Sequence, residues 1–381
     1  MLETVRSFAN SRVAPGVAER DRDERFPVEL VKEAGALDLL GGVVPREFGG
    51  AGLSYSDYAA IITEMARVDQ VVALTMTLPS GLAGGGILKH GTQEQCRELL
   101  PPLCRGETIA AVGVTEPGSG TDVAGMRTTC KRDGSGYLIN GAKTWISQIG
   151  HCNWLLTFAT IDRGAGRRGV CAFVIPADTP GLTMTPFKNK LGFRAVSTGD
   201  VFLEDVWVDA GSLVGGEGGG FSVAMAAVET GRLGVGARAL GVANDCLDRS
   251  VAYANEREVG GGPISRFQQI QSKITDMVVG IEGASAMIER LALKRDAGER
   301  ARREASLAKM HASDVAMLCA SHAVQIHGAY GTHEDYHVQR HFRDAKVLQI
   351  VEGTNELHRN MVAEYALGAR SDERPVEKGS Q

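Results

Sequence analysis

The alternation of apolar and polar positions changes period twice along the chain. Over residues 1–107, apolar side chains recur at three- and four-residue spacing in "FPVELVKEAGALDLL" and "YAAIITEMARV", the period of helices buried on one face. "GGVVPREFGGAGLS" between them reads as a Gly/Pro loop, and the helix of "TQEQCRELLPPLCRGE" is expected to stop at its Pro-Pro pair. Over residues 108–212 the period becomes two. "TIAAVGVT", "GYLINGAKTWIS", "NWLLTFATI", "GVCAFVIPA" and "DVFLEDVWV" predict strands, with "KRDGSG" and "DRGAGRRG" as hairpin turns. Strands in succession without intervening helices predict an antiparallel barrel or sandwich. Over residues 213–381 the helical period returns. Phe267, Ile270, Ile274, Met277, Ile281 and Ile288 form one stripe, Ser265 and Gln268 have capping-box spacing, and "EASLAKMHASDVAMLCASHAVQIHG" is a second long amphipathic segment. The expected class is α+β: an N-terminal helical domain, a central β domain and a C-terminal four-helix bundle.

Composition narrows the class of partner. The chain has 381 residues, a net charge of −5 and 43% hydrophobic residues, enough for sizeable cores. No apolar run reaches the roughly 18–20 residues of a membrane span. The first residues mix acids and bases without an apolar stretch, so no targeting peptide is read there and a cytoplasmic location is expected. The basic clusters are local, which argues against nucleic-acid binding. Seven cysteines without a C-x-x-C pair read as buried thiols.

Five stretches offer chemistry. "HEDYH" (His333–His337), with His341 one turn on, has the H-E-x-x-H spacing of a zinc hydrolase, which requires both histidines inside one helix. The preceding "GAYGT" reads as a turn that leaves His333 outside it, so surface positions for His333 and Glu334 and packing for Tyr336 are expected. "GVGARA" (Gly234–Ala239) fits a dinucleotide fingerprint, but helical spacing upstream favours close helix packing. "TEPGSGTD" (Thr115–Asp122) ends a strand with hydroxyls and backbone N–H groups suited to a phosphate or a ring edge, and equally to an ordinary loop. In "TWIS" strand alternation places Trp145 and Ser147 on one face, suited to a flat ring or simply to a core. Glu352 leaves an apolar run at a Gly turn, where a carboxylate can gain a raised pKa and act as a base.

Taken in order, "VTEPGSGTDVAGM", "INGAKTWIS", "LGFRAVSTGDVFLEDVWV", "PISRFQQIQSKITDM" and "AVQIHGAYGTHEDYHVQRHFRDAKVLQIVEGTNELHR" resemble the acyl-CoA dehydrogenase family of flavoproteins over nearly the whole chain. The resemblance implies FAD without a Rossmann fold, a homotetramer built as a dimer of dimers, and an electron-transfer flavoprotein as reoxidant. Carried over by position, it puts Thr115, Trp145 and Ser147 at the flavin and Thr121 near the pyrophosphate, with Gly328, Gly353, Thr354 and Glu356 among the cofactor contacts. Arg257, Gln268 and Gln325 would reach the FAD of a neighbouring subunit. Thr121, Glu229, Arg232 and Gly353 would lie along the substrate. Glu352 matches the family base, implying α,β-dehydrogenation of an acyl-CoA thioester to the trans-2-enoyl thioester, the β-hydride passing to flavin N5. The alternative base position is Gly231 here, which cannot act. Gly260, Ala329, Thr332 and Val351 depart from the common residues. A thioester on a carrier protein and an inactive partner subunit stand as alternative readings.

Overall fold

The computed structural model describes residues 1–372; residues 373–381 of the expected third unit lie outside the described residues. The N-terminal part holds α1 (Leu2–Phe8), α2 (Val17–Arg22), α3 (Val28–Ala36), α4 (Tyr55–Val68), α5 (Gln70–Thr77), α6 (Gly84–His90) and α7 (Gln93–Cys104). Helix α4 starts where Ser54 accepts from Asp57 N–H and turns its apolar face, from Tyr58 through Met65, into the core. Helix α7 carries a capping box, Thr92 with Gln95, and does not stop at Pro101. Both prolines fit inside its last turn, where the Pro101 carbonyl accepts from the Arg105 N–H.

The middle part holds β1 (Ala110–Gly113), β2 (Thr129–Asp133), β3 (Gly136–Ser147), β4 (Trp154–Thr160), β5 (Val170–Pro176), β6 (Leu182–Pro186), β7 (Thr198–Asp209) and β8 (Leu213–Val214). Their order is β6-β7-β3-β2-β4-β5-β8, with β1 beside β4. The expected β domain is present, and its sheet is open and mixed rather than a closed antiparallel barrel. The end strands β6 and β8 are not paired with each other, and β1 and β2 both run parallel to β4. The short β2, β6 and β8 lack the apolar alternation by which the other five were read. The segment "KRDGSG" is the β2–β3 hairpin, with Asp133 opposite Gly136.

The C-terminal part holds α8 (Gly220–Glu256), α9 (Gln268–Asp296), α10 (Arg302–His327), α11 (His337–Leu348) and α12 (Asn355–Ala366). It is a bundle of three long helices, with α11 and α12 against α10 and the N-terminal α4 along α8. The Ser265–Gln268 box does not form: Ile264–Arg266 is a 3-10 turn, and α9 starts at Gln268 without a side-chain cap. On α9, Met277, Ile281 and Ile288 are buried, while Phe267 at its start is exposed.

The stretch "GVGARA" lies wholly inside α8, which rules out the strand-to-helix turn a dinucleotide fingerprint needs. Its glycines let helices close up. A Cβ on Gly234 would meet Thr77 Cγ2 at 2.9 Å, and just beyond the stretch one on Gly241 would overlap the Thr63 carbonyl. No helix among the described residues is long and apolar enough to cross a membrane.

Candidate active site

Glu352 sits in the turn between α11 and α12 with φ at +55°, followed by Gly353 at +98°. A positive φ is uncommon for a residue with a Cβ and persists only where its surroundings impose it. The buried Lys309 of α10 supplies that constraint. Its Nζ donates to the carbonyls of Gln349 (3.3 Å) and Gly353 (2.8 Å) and to Asn355 Oδ1 (2.9 Å). Asn355 is also buried and donates to Ser313 Oγ and Asp314 Oδ1. His358 Nε2 lies 3.3 Å from the Glu352 carbonyl. Burial holds the His358 imidazole down at about 3, helped by Arg232 and Lys309, so it is neutral and donates. Thr354 caps α12, its hydroxyl accepting from Leu357 N–H, and Glu356 is exposed in the first turn.

The Glu352 side chain lies against Gly231 of α8, where any Cβ would overlap its carboxylate. Its Oε2 is buried and has no hydrogen-bond partner. Burial pushes this carboxyl up to about 7, against the pull of Arg238, Arg232 and Lys309. A buried carboxyl that titrates near neutrality and spends no lone pair on a neighbour is suited to take a proton. Arg232 is mostly buried, and its Nε lacks a partner. Glu229, one turn earlier, is tied to Arg302 (2.6 Å) and Arg295 (3.3 Å).

The second group of expected residues lies on the sheet. Thr115 and Thr121 flank a loop held from beneath by a buried ion pair, Lys143 Nζ to Glu116 Oε1 at 2.8 Å. Glu116 also accepts from the Thr128 and Arg127 N–H groups. Burial alone would raise its pKa; Lys143 and these donors overcome that and lower it. Trp145 is 63% exposed, unusual for an indole. It also has φ at +59°, because β3 is bulged here: the register with β7 slips between Lys143/Val201 and Ile146/Gly199. The bulge breaks the alternation before Trp145; after it, Ile146 is buried between the exposed Trp145 and the half-buried Ser147. Phe187 meets the indole edge-on at 5.0 Å, and Ser147 Oγ lies 3.5 Å from Thr198 Oγ1.

A third group is far from the first. Gln325 is sixteen residues beyond Lys309 on α10, about 24 Å of helix rise. Gln325 is exposed, as is Gly328, which ends α10 with φ at +62°. Arg257 caps the end of α8 and lies over the Tyr330 ring at 5.8 Å. Gln268 opens α9, also exposed. Within one chain, none of these four is hydrogen-bonded or ion-paired to Glu352 or Trp145.

The chain matches the acyl-CoA dehydrogenase N-terminal domain over residues 1–107, the middle domain over 111–206 and the C-terminal domain over 218–367. The chain belongs to the acyl-CoA dehydrogenase family. An acyl-CoA dehydrogenase of Bacillus subtilis is 38% identical, covering 97% of each chain. The butyryl-CoA dehydrogenase structure of Megasphaera elsdenii superposes with a TM-score of 0.93 at 36% identity, covering 96% of this chain and 97% of that one. A structure described as an electron-transferring flavoprotein of Acidaminococcus fermentans gives 0.94 at 35% identity, covering 96% of both. Family membership carries the activity class, oxidoreduction at a CH–CH bond, and the cofactor, FAD.

The residues present fit that cofactor: an exposed indole on a bulged strand offers an apolar face, and hydroxyls of Thr115, Thr121 and Ser147 lie on the same loop and strand. In this acyl-CoA dehydrogenase frame the "HEDYH" stretch also falls into place. His333 precedes α11, which starts at His337, and contacts Asp335. Tyr336 packs against the Tyr253, His327 and Tyr330 rings, and His341 is buried with Nε2 2.8 Å from Asp245.

Sequence reasoning missed the supports. Lys309, Asn355 and His358 read as ordinary helix residues. Only contacts distant in sequence reveal their hold on Glu352.

Proposed function

We propose that this acyl-CoA dehydrogenase removes the α- and β-hydrogens of an acyl-CoA thioester to give the trans-2-enoyl thioester, with Glu352 as the base. The observation that carries the reading is the Glu352 carboxyl: buried, unpartnered at Oε2, raised to about 7 and held in a positive-φ turn. Bound FAD supplies the two-electron acceptor for the β-hydride. Trp145, Ser147, Thr115 and Thr121 hold it from the sheet, and Gly353, Thr354 and Glu356 from the α11–α12 side. Gly328 is a further cofactor contact, and Arg257, Gln268 and Gln325 serve the cofactor of a neighbouring subunit in a homotetramer. Thr121, Glu229, Arg232 and Gly353 line the thioester.

The Glu352 backbone N–H donates to no group among the described residues, so it is available to polarise the thioester carbonyl as the α-proton leaves. Arg232 and Arg238 stabilise the ionised base, while burial keeps it basic enough to act. Gly231 adds nothing chemical; it makes room for the carboxylate. The likeness to the Acidaminococcus structure supports an electron-transferring flavoprotein as acceptor.

The purified protein is expected to be yellow, with a flavin band near ~450 nm that bleaches anaerobically on adding the right acyl-CoA. Colourless protein that takes up no FAD contradicts the reading and favours an inactive partner subunit. Turnover of carrier-protein thioesters with none of CoA thioesters moves the substrate to the carrier-protein class.

A further inference from the structure

Glu352 is not the only buried polar group without a partner in this part of the molecule. Gly231, Gly234 and Arg238 stand at i, i+3 and i+7 on α8 and so share one stripe of that helix. The first touches the Glu352 carboxylate. A Cβ on the second would lie 3.4 Å from Tyr58 Oη, which reaches α8 from α4. The third is 1% exposed, and long helical side chains lean toward the N-terminus, here back along the stripe toward Gly234 and Gly231. Phe193 lies under the Arg238 guanidinium at 5.5 Å and covers one of its faces.

Among the described residues, nothing uses the donors of this pair. Arg238 Nε and Nη1 and Tyr58 Oη are buried with no hydrogen-bond partner, although Tyr58 is fully buried. The charges that face Arg238 are Glu352, Asp344 and the Tyr58 hydroxyl, yet no carboxylate lies within ion-pair distance among the described residues. Asp344 Oδ1 is already taken by the Phe193 N–H at 2.6 Å. Orphaned buried donors are costly, and a hydrocarbon acyl chain would leave them so. An acceptor oxygen on the acyl chain would satisfy both.

We propose that Arg238 and Tyr58 form a subsite for an oxygen-bearing acyl group, its acceptor distal to the carbons oxidised at Glu352 and in its strongest form a carboxylate. The proposal rests on the function given above and adds the substrate class. Arg238 acts on specificity and takes no proton in the reaction.

The test uses the FAD-loaded enzyme and CoA thioesters matched in carbon number: butanoyl, pentanoyl and hexanoyl against the mono-thioesters of butanedioic, pentanedioic and hexanedioic acid. In at least one pair the oxygen-bearing member is expected to win by about ten-fold or more in kcat/KM, the worth of one hydrogen bond to a charged group. Arg238→Met and Tyr58→Phe should each shrink that ratio by lowering kcat/KM for the oxygen-bearing member more than for the hydrocarbon one. If Arg238→Met does not fold, Tyr58→Phe and the wild-type ratios still decide. A hydrocarbon preference in all three pairs overturns the subsite and leaves the dehydrogenase standing. Failure of every CoA thioester to bleach the flavin overturns both.

Discussion

At the residue scale the account turns on one carboxyl. Glu352 was legible in the sequence as an acid at a Gly turn, but its environment was not. Gly231 and the cations Arg232, Arg238 and Lys309 come from positions far away in the chain, and only folding brings them around it. A carboxyl held near 7 fixes the pH behaviour, because the ionised form is the active base. The kcat/KM of the free enzyme is expected to rise with pH through about 7. A profile flat from pH 5.5 to 8.5 would contradict this.

The same shift acts on stability. The folded pKa lies above the ordinary 4.5, so between those values the unfolded chain loses its proton first and stability falls as pH rises. Above 7 the cost is fully present. Removing it in Glu352→Gln should stabilise the protein at pH 8 by up to about 3 kcal/mol and change little at pH 4.5, as read by denaturant unfolding. Gly231→Ala is expected to displace the carboxylate. Turnover should drop by at least about a hundred-fold, the lower end of what a positioned base contributes, while flavin absorbance is retained.

At the element scale, two local departures from regular structure shape the site: the turn at Glu352, which was legible, and the bulge in β3, which was not. Strand alternation was the right rule for most of β3, but it does not announce the bulge before Ile146 or the positive φ of Trp145. Beside the bulge, Lys143 is buried in an ion pair with Glu116, 0% and 4% exposed, a pairing that strand propensity does not encode. Breaking it with Lys143→Met leaves a buried carboxylate unpaired and should cost about 3–5 kcal/mol in denaturant unfolding, with weaker FAD retention.

The turn that holds Glu352 depends on Lys309 in the same way. Burial lowers this amine to about 8, yet three acceptors surround it. Lys309→Met should lower kcat more than it raises KM. It should also move the pH midpoint upward, since one of the cations that favour ionised Glu352 is gone. An unchanged midpoint would show that Lys309 serves the backbone alone.

At the scale of the whole molecule, the order helices, sheet, helices was readable because the hydrophobic period switches cleanly from 3.6 to 2 and back. The sheet topology was not. The parallel pairing of β1 and β2 with β4 depends on contacts distant in sequence, and β2, β6 and β8 are too short or too polar to declare themselves. The matched family positions fall into three groups: those around Glu352, those on the sheet and its loop, and Arg257, Gln268, Gln325 and Gly328. Some 24 Å of helix separates Gln325 from Lys309. That separation fits the neighbouring subunit proposed to complete the cofactor site.

The claim on which all three scales converge is that Glu352 takes the proton. Anaerobic addition of the best acyl-CoA to Glu352→Gln, loaded with FAD, tests it most directly. The account predicts a yellow protein whose flavin band persists, with the bleaching rate reduced by about a thousand-fold or more, within the range expected for loss of a positioned base. Bleaching at the wild-type rate would contradict it and return the search for the base to the other titratable groups of the site.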